Sequence, residues 1–171
     1  KCFHKKVYLS KINITNFMDF IFEVLPNTRT YLHSVLENNS LEDLNKIPQG
    51  FNNNIIWNVA HLIVSQQVLV YKLSGLPLMV SDAFVEKYRK GSKPEAPVTA
   101  DEVEEIKSLL FPPIQKTRED YYNGVFQNYQ EYVVVTTGNT LKCVEDALQF
   151  TAFHEGLHIG YIMALLRAIK I

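Results

Sequence analysis

Between Ile55 and Ser74 the chain reads IIWNVAHLIVSQQVLVYKLS, twenty residues in which Lys72 is the one formal charge. A helix this apolar around its whole circumference cannot lie on a surface, so other elements must enclose it. Asn53 or Asn54 supplies an N-cap, because a short side-chain oxygen can accept from the first free backbone N–H groups. Gly75 suits the left-handed residue at which helices commonly stop. The segment therefore predicts a central helix, and the rest of the chain must provide its walls.

Three further segments carry a helical period. In the first, Phe17, Phe20, Ile21, Val24, Tyr31, Leu32, Val35 and Leu36 recur at i, i+3, i+4 spacing. Pro26 lies inside that run and predicts a kink or a division. The polar ENNS at 37–40 closes the segment. Another helix opens at Thr99-Ala100-Asp101-Glu102, a capping-box pattern, with Val103, Ile106, Leu109 and Leu110 as its inner stripe. Pro112-Pro113 must distort it, and Gly124 ends it. The last helix runs from about Lys142 to the C-terminus, with Glu145 and Asp146 suited to its first turn. EYVVVTTGNTLK at 131–142 is rich in β-branched residues around Gly138-Asn139 and reads as a short hairpin or extended connector.

Four long amphipathic segments with almost no strand give an all-α fold, a four-helix bundle with long inter-helix connections at 75–98 and 124–141. Connections this long permit crossovers, so the topology stays open. Residues 75–98 are a candidate lid or site wall. Residues 1–11 form an N-terminal arm that does not begin with Met, and 12–171 form the bundle domain.

Composition narrows the partners. Seventeen basic and eighteen acidic residues leave a net charge of −1, which gives no electrostatic ground for nucleic acid or an anionic membrane as partner. No apolar run approaches the roughly 18 residues of a membrane span. The basic KCFHKKVYLSK has no apolar stretch after it, so no secretory signal is expected. Two cysteines without C-x-x-C spacing, Cys2 and Cys143, point to a reducing, cytoplasmic setting.

The chemistry concentrates in FHEGLHIGYI, 153–162, where His154, Glu155 and His158 spell H-E-x-x-H. The last helix has the stripe Val144, Ala147, Leu148, Thr151, His154, His158, Tyr161, Ile162, Leu165 and Ile169. Both histidines fall in it, one turn or about 6 Å apart along the axis. Two imidazoles at that spacing can meet one cation. Without a shared ion or hydrogen-bond partners, their burial would be costly. The motif is also that of zinc peptidases, which take a further ligand from downstream. Here Ile159 to Ile171 contain no His, Asp, Glu or Cys, and the extended motif fails at Tyr161 and Ala164. No sheet edge is available to bind a peptide as an added strand. The third ligand must come from upstream, and His61, one turn after Trp57, is the histidine on a core helix. His33 is off the apolar stripe and His4 lies in the arm.

These landmarks, Trp57 and His61 as W-x-x-x-H, the phrase FVEKYRKGSKP and the terminal H-E-x-x-H-x-G-Y-I, resemble the DinB / YfiT-like superfamily of four-helix-bundle metalloproteins. The likeness runs from about residue 14 to the end and includes Gly138 and Gly160. It implies one divalent metal, Zn or Ni by the preference of imidazole ligands, held by His61, His154 and His158. It implies a small-molecule substrate and a metal-dependent enzyme of thiol-transferase, isomerase or hydrolase type, some relatives using a low-molecular-weight thiol as cofactor. A non-catalytic metal-stabilised bundle is the alternative. It further implies a homodimer, through the apolar surface of the second helix and the kinked third helix, and a close approach of a neighbouring helix at Gly160. Glu155 reads either as a general base or outer partner of the histidines, or as a carboxylate on the helix flank. Ser65, Gln66 and Gln67 are candidates to line the cavity, Tyr161 is as well explained by packing, and the charges of EKYRKGSK at 86–93 read as a solvated loop.

The absence of a downstream ligand predicts that the protein is no peptidase. Incubation of the metal-loaded protein with casein should release no peptides. Metal-dependent cleavage that His154→Ala abolishes would overturn the prediction.

Overall fold

The computed structural model describes residues 14–170. The arm of residues 1–11, with His4, lies outside the described residues. The central helix α3, Ile55–Gln66, is capped as its sequence requires: the Asn54 side chain accepts from the Trp57 backbone N–H at 2.9 Å. All its residues except Ser65 are buried, as expected of a helix without a polar face. It runs on through a π turn, Gln67–Tyr71, and a 3-10 turn, Lys72–Ser74, to Gly75 in the left-handed region at φ 73°.

α1, Ile14–Glu37, is one helix with Pro26 inside it and is not divided. Packing along its length outweighs the roughly 3 kcal/mol penalty of an interior proline. Of the stripe that the sequence suggested, Ile21, Leu32, Val35 and Leu36 are buried as read. Leu25, Arg29, Leu32 and Leu36 face the core, while Phe20 and Tyr31 are exposed. A short helix, α2 at Leu41–Asn45, follows, capped by Ser40. Asn45 then clasps the backbone of Val98 through both its amide atoms, at 2.7 and 3.0 Å.

The connection 75–98 is not structureless: Ser81 caps α4, Asp82–Tyr88. The proline pair splits the third segment into α5, Ala100–Ser108, and α6, Pro112–Tyr122, with proline in the first turn of α6 where its missing N–H costs least. The Thr99–Glu102 capping box is present, and Gly124 stands at φ 67° after α6. Two-residue strands β1, Tyr132–Val133, and β2, Thr140–Leu141, pair antiparallel and lead into α7, Val144–Ala168.

Contacts fix the directions. Met18 shares an apolar cluster with Val144 and Leu148, and Leu36 shares another with Leu165 and Ile169. α1 and α7 are therefore parallel. Ile55 and Ile56 lie in the cluster of Leu36, and Leu69 and Val70 in that of Met18, so α3 is antiparallel to both. Lys107 pairs with Glu37 at 2.6 Å, and the Tyr122 hydroxyl donates to Asp19, so α5 and α6 run with α3. Hence 75–98 crosses back along the bundle, whereas 125–143 stays at one end, where the Tyr129 hydroxyl donates to the Leu69 carbonyl at 3.0 Å.

A polar layer separates the two clusters. Its anchor is a fully buried ion pair: Arg29, 1% exposed, donates from Nε and Nη2 to Glu155 Oε1 at 2.9 and 2.6 Å, and Glu155 is 0% exposed. Thr28 donates to the other carboxylate oxygen, and Arg29 Nη2 also reaches the Leu62 carbonyl at 3.4 Å. α1, α3 and α7 thus meet at one charged node. In the same layer Gln67 donates to Gln66, and Gln66 to Thr117 of α6, both at 2.7 Å. The Met79 N–H donates to Gln67 Oε1 at 2.8 Å. These two glutamines tie the π turn to its neighbours and do not line a cavity.

A buried charge without its partner costs far more than the pair contributes. Arg29→Ala and Glu155→Ala should each lower stability by about 3–5 kcal/mol. Replacing both with Met and Leu should cost much less than the sum. The urea midpoints of the three variants check this. Single variants within about 0.5 kcal/mol of wild type, the range of ordinary surface changes, would remove the structural role.

Candidate metal centre

His61 projects from the middle of α3, and His154 and His158 from one edge of α7. One ring nitrogen from each, and these three atoms all lie within 4.8 Å of one another. The fold therefore brings together the three histidines that the sequence singled out. His33 is elsewhere, its ring 6.0 Å from that of Phe111.

Hydrogen bonds settle which nitrogens face inward. His61 Nδ1–H donates to the Tyr88 carbonyl at 2.7 Å, and a carbonyl can only accept. His158 Nδ1–H donates to Asn58 Oδ1 at 2.7 Å. The orientation of that amide is fixed, since its Nδ2 donates to the Asn54 carbonyl at 2.7 Å and to Asn53 Oδ1 at 2.9 Å. With protons held on Nδ1, the Nε2 lone pairs of His61 and His158 point into the site. Such outer partners commonly set the tautomer and ring orientation of metal-binding histidines.

The spacing suits an ion. His158 Nε2 and His154 Nε2 are 3.2 Å apart. Two nitrogens each about 2.0–2.1 Å from one tetrahedral zinc would be about 3.3 Å apart. Ser65 Oγ lies 3.2 Å from His61 Nε2, so a hydroxyl borders the site and meets the expectation for this residue. The three imidazoles could hold one divalent ion.

Burial is uneven. His61 is 5% exposed and stacks on Trp57, with ring centroids 4.7 Å apart and planes at 8°. His154 and His158 are only half-buried, so the group opens to one side. Burial lowers the pKa of all three. His154 is held down at about 4 by burial first, then by the charges of His61 and Arg29. His158 is held at about 3 by burial and then by the two neighbouring imidazoles. For His61, burial outweighs the opposing hydrogen bond to Tyr88. All three are neutral near pH 7, the protonation state in which imidazole binds a metal.

The segment 75–98 touches the histidine group through the Tyr88 carbonyl, and the cavity it walls has none of the three histidines in its lining. That cavity, of about 640 Å³, lies between the start of α3 and residues 86–98, lined by Trp57, Tyr88, Ser92 and Val98 among others. Trp57 Nε1 donates to Ser92 Oγ at 3.1 Å, and Tyr88 supplies the carbonyl to His61. The charges of 86–93 pair at the surface, Arg89 with Glu86 and Lys87 with Glu102. They are solvated as read, but Glu86 and Lys87 stand on α4 and not in a loop.

Glu155 departs from both of its readings. It is neither a flank carboxylate nor free to act as a base, since Arg29 and Thr28 engage its two oxygens in the core. Gly160 also departs from expectation: a Cβ there would meet nothing within 4 Å, so no helix of this chain approaches it. Tyr161 packs edge-on against Phe51, with centroids 5.5 Å apart. The residues the sequence reading missed are Asn58, Tyr88 and Arg29. Asn58 had a signal, as an amide one turn before His61 on an otherwise apolar face. Arg29 also had one, as a charge in step with Leu25, Leu32 and Leu36.

A family model described as the DinB superfamily matches residues 25–162, and the chain belongs to that superfamily. No curated protein matches the chain. Among the described residues, no helix is long and apolar enough to cross a membrane.

The depressed histidine pKa values carry a sign. An unfolded chain takes up protons on its histidines near pH 6.5, whereas the folded chain holds His154 and His158 neutral down to about 4 and 3. The unfolded state binds more protons in that window, so stability falls as pH falls. The urea midpoint of metal-free protein should drop between pH 6.5 and 4 more steeply than that of a His154→Gln/His158→Gln variant. Equal slopes would mean that the two imidazoles are not buried neutral.

Proposed function

We propose that this DinB-superfamily protein binds one divalent transition-metal ion, Zn²⁺ or Ni²⁺, through His61, His154 and His158, and is a metal-dependent enzyme acting on a small molecule. The observation that carries the reading is the convergence of three neutral imidazoles within 4.8 Å on a side that stays half-open. Three protein ligands leave a coordination position for water or substrate, as in catalytic rather than closed structural sites. When bound, such an ion supplies Lewis acidity, which lowers the pKa of a water or a thiol held at that position.

The chain's own residues supply the remainder. Asn58 and the Tyr88 carbonyl hold the Nδ1 protons and aim the lone pairs. Trp57 backs the His61 ring and keeps water from that face. The Ser65 hydroxyl stands beside His61 Nε2, within reach of a group bound at the open side. Glu155 is not free to act there as a base, because Arg29 holds it. This favours chemistry in which the ion itself activates the nucleophile, as in thiol transfer, isomerisation or hydrolysis, and a low-molecular-weight thiol is the cofactor that fits it. A screen of thiol transfer with several thiol cofactors, on protein of known metal content, tests that class. Turnover that requires metal and is lost in His61→Ala supports it, and hydrolysis without any thiol selects the other branch.

The ligands come from α3 and α7, so the ion would also tie these helices together. At 100 times its Kd a ligand adds about 2.7 kcal/mol. For a chain of this size that is roughly 5 to 11 °C in Tm. Protein shown by elemental analysis to be metal-loaded should melt lower by that amount after chelation. His61→Ala should lower the Tm of the loaded protein and abolish most of the chelator's effect. A loaded protein with no shift would remove the stabilising role.

A further inference from the structure

The cavity behind Trp57 has the makings of a site of its own. Ile56, Trp57, Tyr88 and Val98 give it apolar surface, and the segment from Ser92 to Ala96 borders it. Its volume of about 640 Å³ falls within the usual span of small-ligand sites. The bordering segment is pinned at both ends. Trp57 Nε1 donates to Ser92 Oγ at 3.1 Å, and that hydroxyl is shared between the Lys87 and Arg89 carbonyls at 2.8 and 2.9 Å. Asn45 holds the other end at Val98. Pro94 and Pro97 stiffen the stretch between, since each fixes its own φ. The wall is therefore formed before any ligand arrives.

Its polar groups are not used up by the chain. The backbone N–H groups of Lys93, Glu95 and Ala96 have no acceptor among the described residues. Arg89 is engaged by Glu86, and Lys87 by Glu102. Lys93 forms no ion pair among the described residues, and neither does Lys90, which stands between the lining residues Arg89 and Gly91. Glu95 is the one carboxylate of the lining left in the same position. Two unspent cations against one carboxylate, with three free N–H donors, favour an anion at the mouth. Two aromatic rings favour an apolar, flat body further in.

We propose that this cavity is a second binding site, separate from the three histidines, and that it takes a small aromatic carboxylate. The ring of the ligand lies against Trp57 and Tyr88, where buried area and ring contact stabilise it. The carboxylate meets Lys93 and the free N–H groups beside it, in charge-assisted hydrogen bonds. Trp57 and Tyr88 also belong to the histidine group: the indole stacks on His61, and the Tyr88 carbonyl takes the proton of His61 Nδ1. The occupant thus touches both residues that orient His61 while touching none of the three imidazoles.

Trp57 is the single tryptophan of the chain, so its fluorescence reports on the cavity directly. Metal-free protein is titrated with phenylpropionate, its primary amide and phenylpropylamine, three probes of one shape and different charge. Working without metal keeps the outcome independent of the proposed enzyme function. The carboxylate should change the emission saturably, with a Kd at or below about 1 mM. The amide should bind about tenfold more weakly, the least that loss of a charged hydrogen bond gives, and the amine more weakly still. Lys93→Glu should remove the preference for the carboxylate. Ala96→Phe, which fills the cavity from an exposed position, should abolish binding of all three probes with unchanged helix content. No saturable change up to about 10 mM, equal affinities for the three probes, or a carboxylate preference that survives Lys93→Glu would overturn the proposal. So would a titration that Ala96→Phe leaves intact.

Discussion

Arg29 and Glu155 meet where no water reaches, and much of the architecture follows from that meeting. Two buried charges must face each other, so the rotation of α1 and of α7 about their axes is fixed at that level. Apolar contacts alone would tolerate a shift of either helix, since leucine and isoleucine exchange neighbours at little cost. The carboxylate and guanidinium do not. With Glu155 turned inward, His154 at −100° and His158 at +300° around the helix emerge on one side of it, toward α3. The site's position is thus a consequence of the ion pair beneath it.

The polar layer has a second effect. It divides the interior into one apolar cluster around Leu36, Ile56 and Leu165 and another around Met18, Val70 and Leu148. Each polar group in the layer has a partner, and no buried side-chain nitrogen or oxygen among the described residues is left without a hydrogen bond. A half-satisfied layer would weaken the bundle, whereas a complete one specifies a unique register. Three helices could otherwise slide by a turn within an apolar core, and the layer leaves them one fit.

The bundle itself was legible in the sequence because periodicity and capping are local. Asn54, the Thr99–Glu102 box and Gly75 each act through neighbours three or four residues away, and each stands where it was read. So was the histidine group, because two histidines one turn apart on one helix announce themselves by spacing. The phase of α1 was legible only in part: Ile21, Leu32, Val35 and Leu36 are buried as read, but Arg29 was not read as inward. Phe20 and Tyr31 look like core residues, and they are outside because Arg29 turns in, a choice made by a residue 126 positions away. Glu155 was misread for the same reason. H-E-x-x-H states a spacing, but whether its glutamate faces a substrate or an arginine depends on a helix the motif does not contain. The helix α4 was missed since its seven residues bury only Phe84, Val85 and Tyr88, too few for a period to emerge.

Two of the inward-facing histidines are oriented by different kinds of atom. His158 leans on the side chain of Asn58, while His61 leans on the main-chain oxygen of residue 88. A main-chain oxygen is present whatever amino acid is encoded there. Drift at position 88 can therefore reshape the neighbouring cavity while the imidazole of His61 keeps its tautomer. Drift at position 58 has no such freedom, because aspartate is the one replacement of matching length that still offers an acceptor. The two anchors give the site one support that is indifferent to the genetic code and one that is bound to it.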